Sequence, residues 1–284
     1  MINRILVALD LDIDTPLAMR FAIKLAKKFE ASVSGLAVVD TVNIAAQVGG
    51  GAIGTIYYAE ELRKHMTEDS RKEAARLLDT FEEMAGKAGV KHSQLMEEGV
   101  PYERIIEDLK YHDLLVIGRE SHFFFNRPKK DTDTLADIVK KSTAPTLVVN
   151  ESDQDVKRVV VAHDGSNASA RSLQWFVQLE PFGKNLEMDI VHVCDLDNET
   201  TVDKSKLLLH LASDYLKAHG YKNIRENLLD KGNTGDKIIG HVKDTGADLV
   251  IMGAHSMNAI RRLTFGSTTH ELVKNSPVPL FLSN

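Results

Sequence analysis

The 284-residue sequence holds one cysteine, no excess of positive charge and no apolar run of membrane-spanning length. Each shortage excludes a class of protein. Cys194 has no second cysteine to join, so no internal disulfide supports the fold. A formal charge of -6 with a pI near 6.0 leaves no electrostatic footprint for nucleic acid. Lys129-Lys130 and Arg261-Arg262 are isolated basic pairs, not clusters. The chain enters a strand almost at once, without the charged-then-apolar plan of a signal peptide, so a cytoplasmic protein with no membrane insertion is expected. No Ser-His-Asp order, no paired acids on one helix face and no Cys-His pairing rises above background.

What the chain does contain is a long repeat. Arg4-Ile5-Leu6-Val7-Ala8-Leu9-Asp10 recurs as Arg158-Val159-Val160-Val161-Ala162-His163-Asp164. Asp113-Leu114-Leu115-Val116-Ile117-Gly118 recurs as Asp248-Leu249-Val250-Ile251-Met252-Gly253, and Lys140-Lys141-Ser142-Thr143-Ala144-Pro145 as Lys274-Asn275-Ser276-Pro277-Val278-Pro279. Matches in the same order at this period mean two whole domains, because solenoid repeats are far shorter. The polar stretch around Glu151–Asp155 separates them, giving domains over 1–151 and 156–284.

Within the first half, apolar runs fall at 4–9, 33–39, 93–97, 113–117 and 146–149. Between the first two, Leu17, Phe21, Leu25 and Phe29 share one helical face, with Asp14 or Thr15 available as N-cap and Pro16 at the first turn. A long, charge-rich helix with one core stripe is expected from Tyr57 to about Gly86. Strands alternating with helices imply right-handed crossovers and a parallel sheet covered on both faces. The expected fold is α/β: two tandem doubly wound domains, each with a five-stranded parallel sheet.

The strongest functional signal follows the run Asp248–Ile251. Met252-Gly253-Ala254-His255-Ser256 is a small-residue loop at the carboxyl end of a buried strand, and Gly266-Ser267-Thr268-Thr269 opens a helix. Such an arrangement suits phosphate, since glycine lets backbone amides approach an anion and a helix N-terminus offers unsatisfied N–H groups. Other patterns carry less. Gly49–Gly54 satisfies G-x-G-x-x-G but follows the second apolar run, so it reads as a surface loop, with a lid role open to it. Asp10, Asp12 and Asp14 lack the glycine and distal glutamate of a calcium loop and read as a capped turn. His163, His192, Cys194 and His255 match no compact zinc spacing, so packed or hydrogen-bonded histidines and no metal site are expected. Gly99-Val100-Pro101-Tyr102 and Gly232-Asn233-Thr234-Gly235 read as matching turns into helices.

These residues resemble the universal stress protein family. Many members carry a nucleotide loop of the form Gly, two residues, Gly, nine residues, Gly-Ser/Thr; this chain reads Gly253-x2-Ser256-x9-Gly266-Ser267. Val160–Ser166 closing the first strand of the repeat, His192-Val193 closing the second, and Pro279 before the last are further family features. The resemblance implies ATP, with Mg2+, in the C-terminal domain. Asp164 would lie by adenine and ribose, and Val193 against the base. Met252, Gly253, His255 and Ser256 would line the ribose and α-phosphate, and Gly266, Ser267, Thr268 and Thr269 would take the phosphates. Ser256 in place of glycine adds a Cβ beside the ligand, so weakened binding is expected.

In the first half, Gly118 and Ser121 align with Gly253 and Ser256, but Asp131-Thr132 or Thr132-Asp133 replaces the later Gly-Ser, and Phe123–Phe125 fill the loop between. A nucleotide is not expected there. Single-domain family members resemble dimers joined through their last strands, which implies an intramolecular pseudo-dimer here through Thr146–Val149 and Leu280–Leu282, with a homodimer left open. The function expected is an ATP-binding stress-response or regulatory protein that acts on an unidentified protein partner. Two alternatives stand beside it: a slow ATP hydrolase, for which no dedicated base is evident, and a non-nucleotide ligand-binding or protein-interaction scaffold.

Overall fold

The alternating runs become strands and helices in turn. The computed structural model describes residues 1–11, 14–48, 56–119, 134–150, 155–254 and 266–284. Contacts divide the chain into two units, Ile2–Ile138 and Val139–Asn284 with Met1.

The first unit runs β1 (Arg4–Leu9), α1 (Thr15–Phe29), β2 (Ser32–Val39), α2 (Thr41–Val48), α3 (Ile56–Ala88), β3 (His92–Glu98), α4 (Pro101–Leu109) and β4 (Leu114–Gly118). Its strands lie in the order β3-β2-β1-β4, all parallel. α5 (Thr134–Lys141) crosses the unit boundary and leads to β5 (Thr146–Val149).

The second unit continues with β6 (Arg158–Ala162), α6 (Asn167–Leu179), β7 (Glu187–Cys194), α7 (Glu199–Ala218), β8 (Asn223–Asp230), α8 (Thr234–Thr245), β9 (Leu249–Gly253), α9 (Ser267–Asn275) and β10 (Leu280–Ser283). β10-β9-β6-β7-β8 form a parallel sheet. β5 adds to β10 in the antiparallel sense, Val148 opposite Leu280 and Thr146 opposite Leu282. That ladder explains why the last strand of the first repeat clusters with residues 139–284. The architecture is two tandem doubly wound α/β domains, as the sequence predicts.

The repeated residues have repeated mechanical tasks. The Asp113 carboxylate accepts the amides of Asn3 (2.7 Å) and Arg4 (2.9 Å), pinning the start of β1 to the start of β4. Asp248 does the same for β6 and β9, accepting from Lys157 and Arg158 at 2.9 Å each. Ser276 Oγ donates to the Val278 carbonyl (2.7 Å) and accepts the Val278 amide (3.2 Å); Ser142 closes the same turn with Ala144. Both α1 and α6 end on a left-handed glutamate, Glu30 (φ 53°) and Glu180 (φ 48°).

Among the described side chains of α3 the first buried one is Ser70, after which Ala74, Leu78, Phe81 and Ala85 form the core stripe. Phe81 packs onto Gly35 of β2, where a Cβ would sit 2.6 Å from the ring. α2 lies in the connection where the sequence suggests a loop. It starts at Asp40, whose carboxylate accepts from both the backbone (2.8 Å) and side-chain (2.7 Å) nitrogens of Asn43. Gly49–Gly54 lies outside the described residues, as does Asp12. No described helix is long and apolar enough to cross a membrane.

Replacing either strand-pinning aspartate leaves two backbone amides without their charged acceptor. Asp113→Ala and Asp248→Ala should each cost about 1.5–3 kcal/mol, the scale of a hydrogen bond to a charged group. Urea unfolding monitored by circular dichroism measures this; an unchanged midpoint in both variants would remove the pinning role.

Candidate nucleotide site

In the second unit the chain winds outward from β6 through β7 to β8, then returns to place β9 and β10 on the other side. The reversal leaves a crevice beyond the carboxyl ends of β6 and β9, where open parallel sheets take ligands. A cavity of about 310 Å³ occupies this place. Its walls are the ends of β6 (Ala162, His163, Asp164), β7 (Val191, His192, Val193) and β9 (Met252, Gly253), together with the N-terminal turns of α6, α8 and α9.

Asp164, Val193, Met252, Gly253, Gly266, Ser267, Thr268 and Thr269 therefore line one cavity. His255 and Ser256 lie outside the described residues, as do the 120–133 segment of the first repeat and Arg261-Arg262. Ser169, Thr234 and Ile238 also line the cavity without having been singled out as site residues. The Gly232–Gly235 turn was the available signal for Thr234, whereas Ser169 and Ile238 carry none in the sequence.

Three helix starts meet here. Ser166 caps α6, its hydroxyl accepting the Ser169 amide at 3.1 Å, and Asn233 caps α8 by accepting the Asp236 amide at 3.3 Å. α9 is capped by Gly266 without a side-chain bond. The first intrahelical bond of α9 runs from the His270 amide to the Gly266 carbonyl (2.9 Å), so the amides of Ser267, Thr268 and Thr269 precede the helical ladder. That end carries the positive side of the helix dipole. The Thr269 hydroxyl faces a different task from phosphate binding, since it donates to the Ala254 carbonyl at 3.0 Å and fastens α9 to the end of β9.

Gly253 is also used differently from a loop glycine that clears space for an anion. A Cβ there would lie 2.5 Å from the Ser169 nitrogen and 2.6 Å from the Ala168 carbonyl carbon. The missing side chain is what lets the start of α6 close against β9.

The electrostatics are set by few groups. Burial of the cavity wall opposes ionisation of Asp164, but hydrogen bonds from Ser166 and Ser169 and the nearby His163 hold its carboxyl below the usual range. The Ser166 amide reaches it at 3.0 Å. His163 is 8% exposed, and burial pushes its ring below the ordinary histidine value, opposed by Asp164 and reinforced by His192. Its Nδ1 is buried without a hydrogen-bond partner. His192 Nδ1 donates to the His163 carbonyl at 2.9 Å. Among the described residues, no set of three His, Cys, Asp or Glu side chains is placed to hold a metal.

The corresponding strand ends of the first unit differ. Leu9 and Ala37, paired in register, occupy the places of His163 and His192, and with Val38 and Ile117 they are wholly buried.

Fold and cavity together define a doubly wound α/β protein with a site at its topological switch point. The chain matches the Universal stress protein family over residues 1–150 and again over 155–283, and it belongs to that family as a tandem member. It is 25% identical over 251 residues to the universal stress protein Slr1230 of Synechocystis, covering 85% of this chain and 83% of that one. Universal stress protein YxiE of Bacillus subtilis is 24% identical over 147 residues, 44% of this chain and 97% of that one. The crystal structure of a universal stress protein from Archaeoglobus fulgidus shares the fold at a TM-score of 0.69, with 18% identity over 99% of this chain and 96% of that one.

Gly253→Ala should force α6 away from β9, because the colliding atoms are backbone. A loss of about 1–3 kcal/mol in stability is expected, the usual range for overpacking. Denaturant unfolding of the variant measures it, and wild-type stability would show that α6 can move without cost.

Proposed function

We propose that this tandem universal stress protein binds ATP, with Mg2+, in its C-terminal domain and acts as a nucleotide-controlled regulator in the cytoplasm. The observation that carries the reading is the single cavity at the β6/β9 reversal. It gathers Asp164, Val193, Gly253 and the amide-presenting start of α9 from segments far apart in sequence. A base fits against Val193 and Ile238, the ribose beside Asp164, and the phosphates at Gly266–Thr269, where N–H groups and the helix dipole favour negative charge.

The first domain contributes no second nucleotide in this reading. Its strand ends are sealed by Leu9, Ala37, Val38 and Ile117, and it serves as a surface for a protein partner. The antiparallel ladder between β5 and β10 supports the tandem as an intramolecular counterpart of a dimer. Nucleotide then works by population shift: it favours the state whose cavity is filled, and the partner reads that state. Binding rather than turnover is the activity in this reading.

Gly266→Asp tests the site cleanly. Gly266 has φ -58°, open to any residue, and aspartate is a favourable N-cap, so α9 should survive the change. The new carboxylate would face the phosphates, and like-charge contacts cost several kcal/mol, on the order of a hundredfold in affinity. Native mass spectrometry and calorimetric titration with MgATP should find one nucleotide per wild-type chain and none on the variant. Equal affinities would overturn the phosphate assignment.

A further inference from the structure

The charge balance of the cavity is unusual for a site that takes an anion. Among its described lining residues there is no lysine or arginine, and its permanent charge is the negative Asp164. The lining side chains that can become positive are His163 and His192. They are neighbours across the β6–β7 ladder, whose register pairs Ala162 with Val191 and leads directly to them.

The two rings are not equivalent. His192 is partly exposed and its Nδ1 proton is committed to the His163 carbonyl at 2.9 Å. His163 is more than nine-tenths buried, and its Nδ1 has no partner. The titratable groups facing His163 are Asp164 beside it and His192 on β7. Among the described residues the other walls bring no charge: Ser169 from α6, Thr234 and Ile238 from α8, Met252 and Gly253 from β9, and Gly266–Thr269 at the start of α9.

Resting on the nucleotide reading above, we infer that the site takes up its anionic nucleotide together with a proton, and that His163 holds that proton. Burial disfavours the charged ring. A protonated ring donates from both nitrogens, so Nδ1 then needs an acceptor that the described protein does not provide. Phosphate oxygens entering the cavity supply acceptor and counter-charge at once. Proton and ligand therefore favour each other, and each is disfavoured alone. Affinity consequently rises as pH falls. The sign follows from linkage: the bound state holds more protons than the free state, so acid drives binding, by up to about tenfold per pH unit while one full proton is taken up. The first repeat, with Leu9 at this position, lacks the group.

The test is calorimetric titration of the full chain with MgATP, between about pH 8.5 and about pH 6, in pairs of buffers with different ionisation enthalpies. The buffer dependence counts protons taken up on binding. Wild type should take up a proton across this range and bind more tightly in acid. His163→Leu, which installs the residue of the first repeat, should lose that uptake and its pH slope; His163→Gln should do the same while retaining hydrogen-bonding capacity. His192→Gln should keep both. The nucleotide's own titration is common to all four proteins and cancels in the comparison. If wild type and both His163 variants bind MgATP with the same proton uptake, or if the uptake disappears only in His192→Gln, the assignment to His163 is overturned while the nucleotide site stands. If wild type binds no MgATP at any pH, the nucleotide reading falls and this inference with it.

Discussion

The close approach of α6 to the end of β9 is the contact around which the C-terminal site is arranged. It exists because residue 253 has no Cβ, and it brings the Ser166–Ser169 turn to the carboxyl end of the sheet. Buried hydroxyls then lock neighbouring pieces to the same place. Ser172 Oγ donates to the Met252 carbonyl (2.8 Å) and accepts the Ser283 amide (3.0 Å), joining α6 to β9 and β10. Thr269 joins α9 to Ala254. These bonds satisfy strand-end groups that would otherwise be buried unpaired, at a cost of about 1–3 kcal/mol each. The same bonds leave two helix N-termini aimed at one volume. The anion affinity proposed for this cavity would thus be a by-product of satisfying the backbone at the end of a parallel sheet.

A lining of helix ends and imidazoles, as the described residues provide, behaves differently from one made of arginines. Each helix terminus contributes only about 0.3–1 kcal/mol toward a nearby charge. Asp164, kept ionised by Ser166 and Ser169, works against phosphate while offering an acceptor to hydroxyls. In the proposed reading, attraction that is a sum of small, opposed terms suits reversible occupancy that follows nucleotide concentration.

The strands were legible because period and repeat speak together: β1 and β5 fall where apolar runs stop and start, and Asp113/Asp248 mark the same corner twice. The grouping of Gly253 with Gly266–Thr269 was legible because these residues are close in sequence. What was not legible depends on convergence. Ser169 and Ile238 reach the cavity from helices separated by two strands, and nothing local marks them. α2 is an eight-residue helix with Ile44 as its buried residue, too short for a periodic stripe to show. The direction of the Thr269 proton and the packing use of Gly253 require the neighbouring backbone to be in place. His163 reads as a packed histidine until its unpartnered Nδ1 is seen beside a cavity.

Comparison of the two repeats separates framework from function within one chain. Groups that hold strands together are the same in both: the aspartate pins, the serine turns before β5 and β10, and the left-handed glutamates after α1 and α6. Groups that open onto the cavity in the second repeat are the ones exchanged in the first, where Leu9 and Ala37 stand for His163 and His192 and are sealed from solvent. The exchange replaces ionisable rings, one of them carrying a buried unpaired atom, with aliphatic packing. Such a change favours stability wherever no ligand rewards the polar group. The aliphatic pair marks the repeat in which packing governs these positions. In the proposed nucleotide reading, the histidines stand where an incoming ligand can complete them.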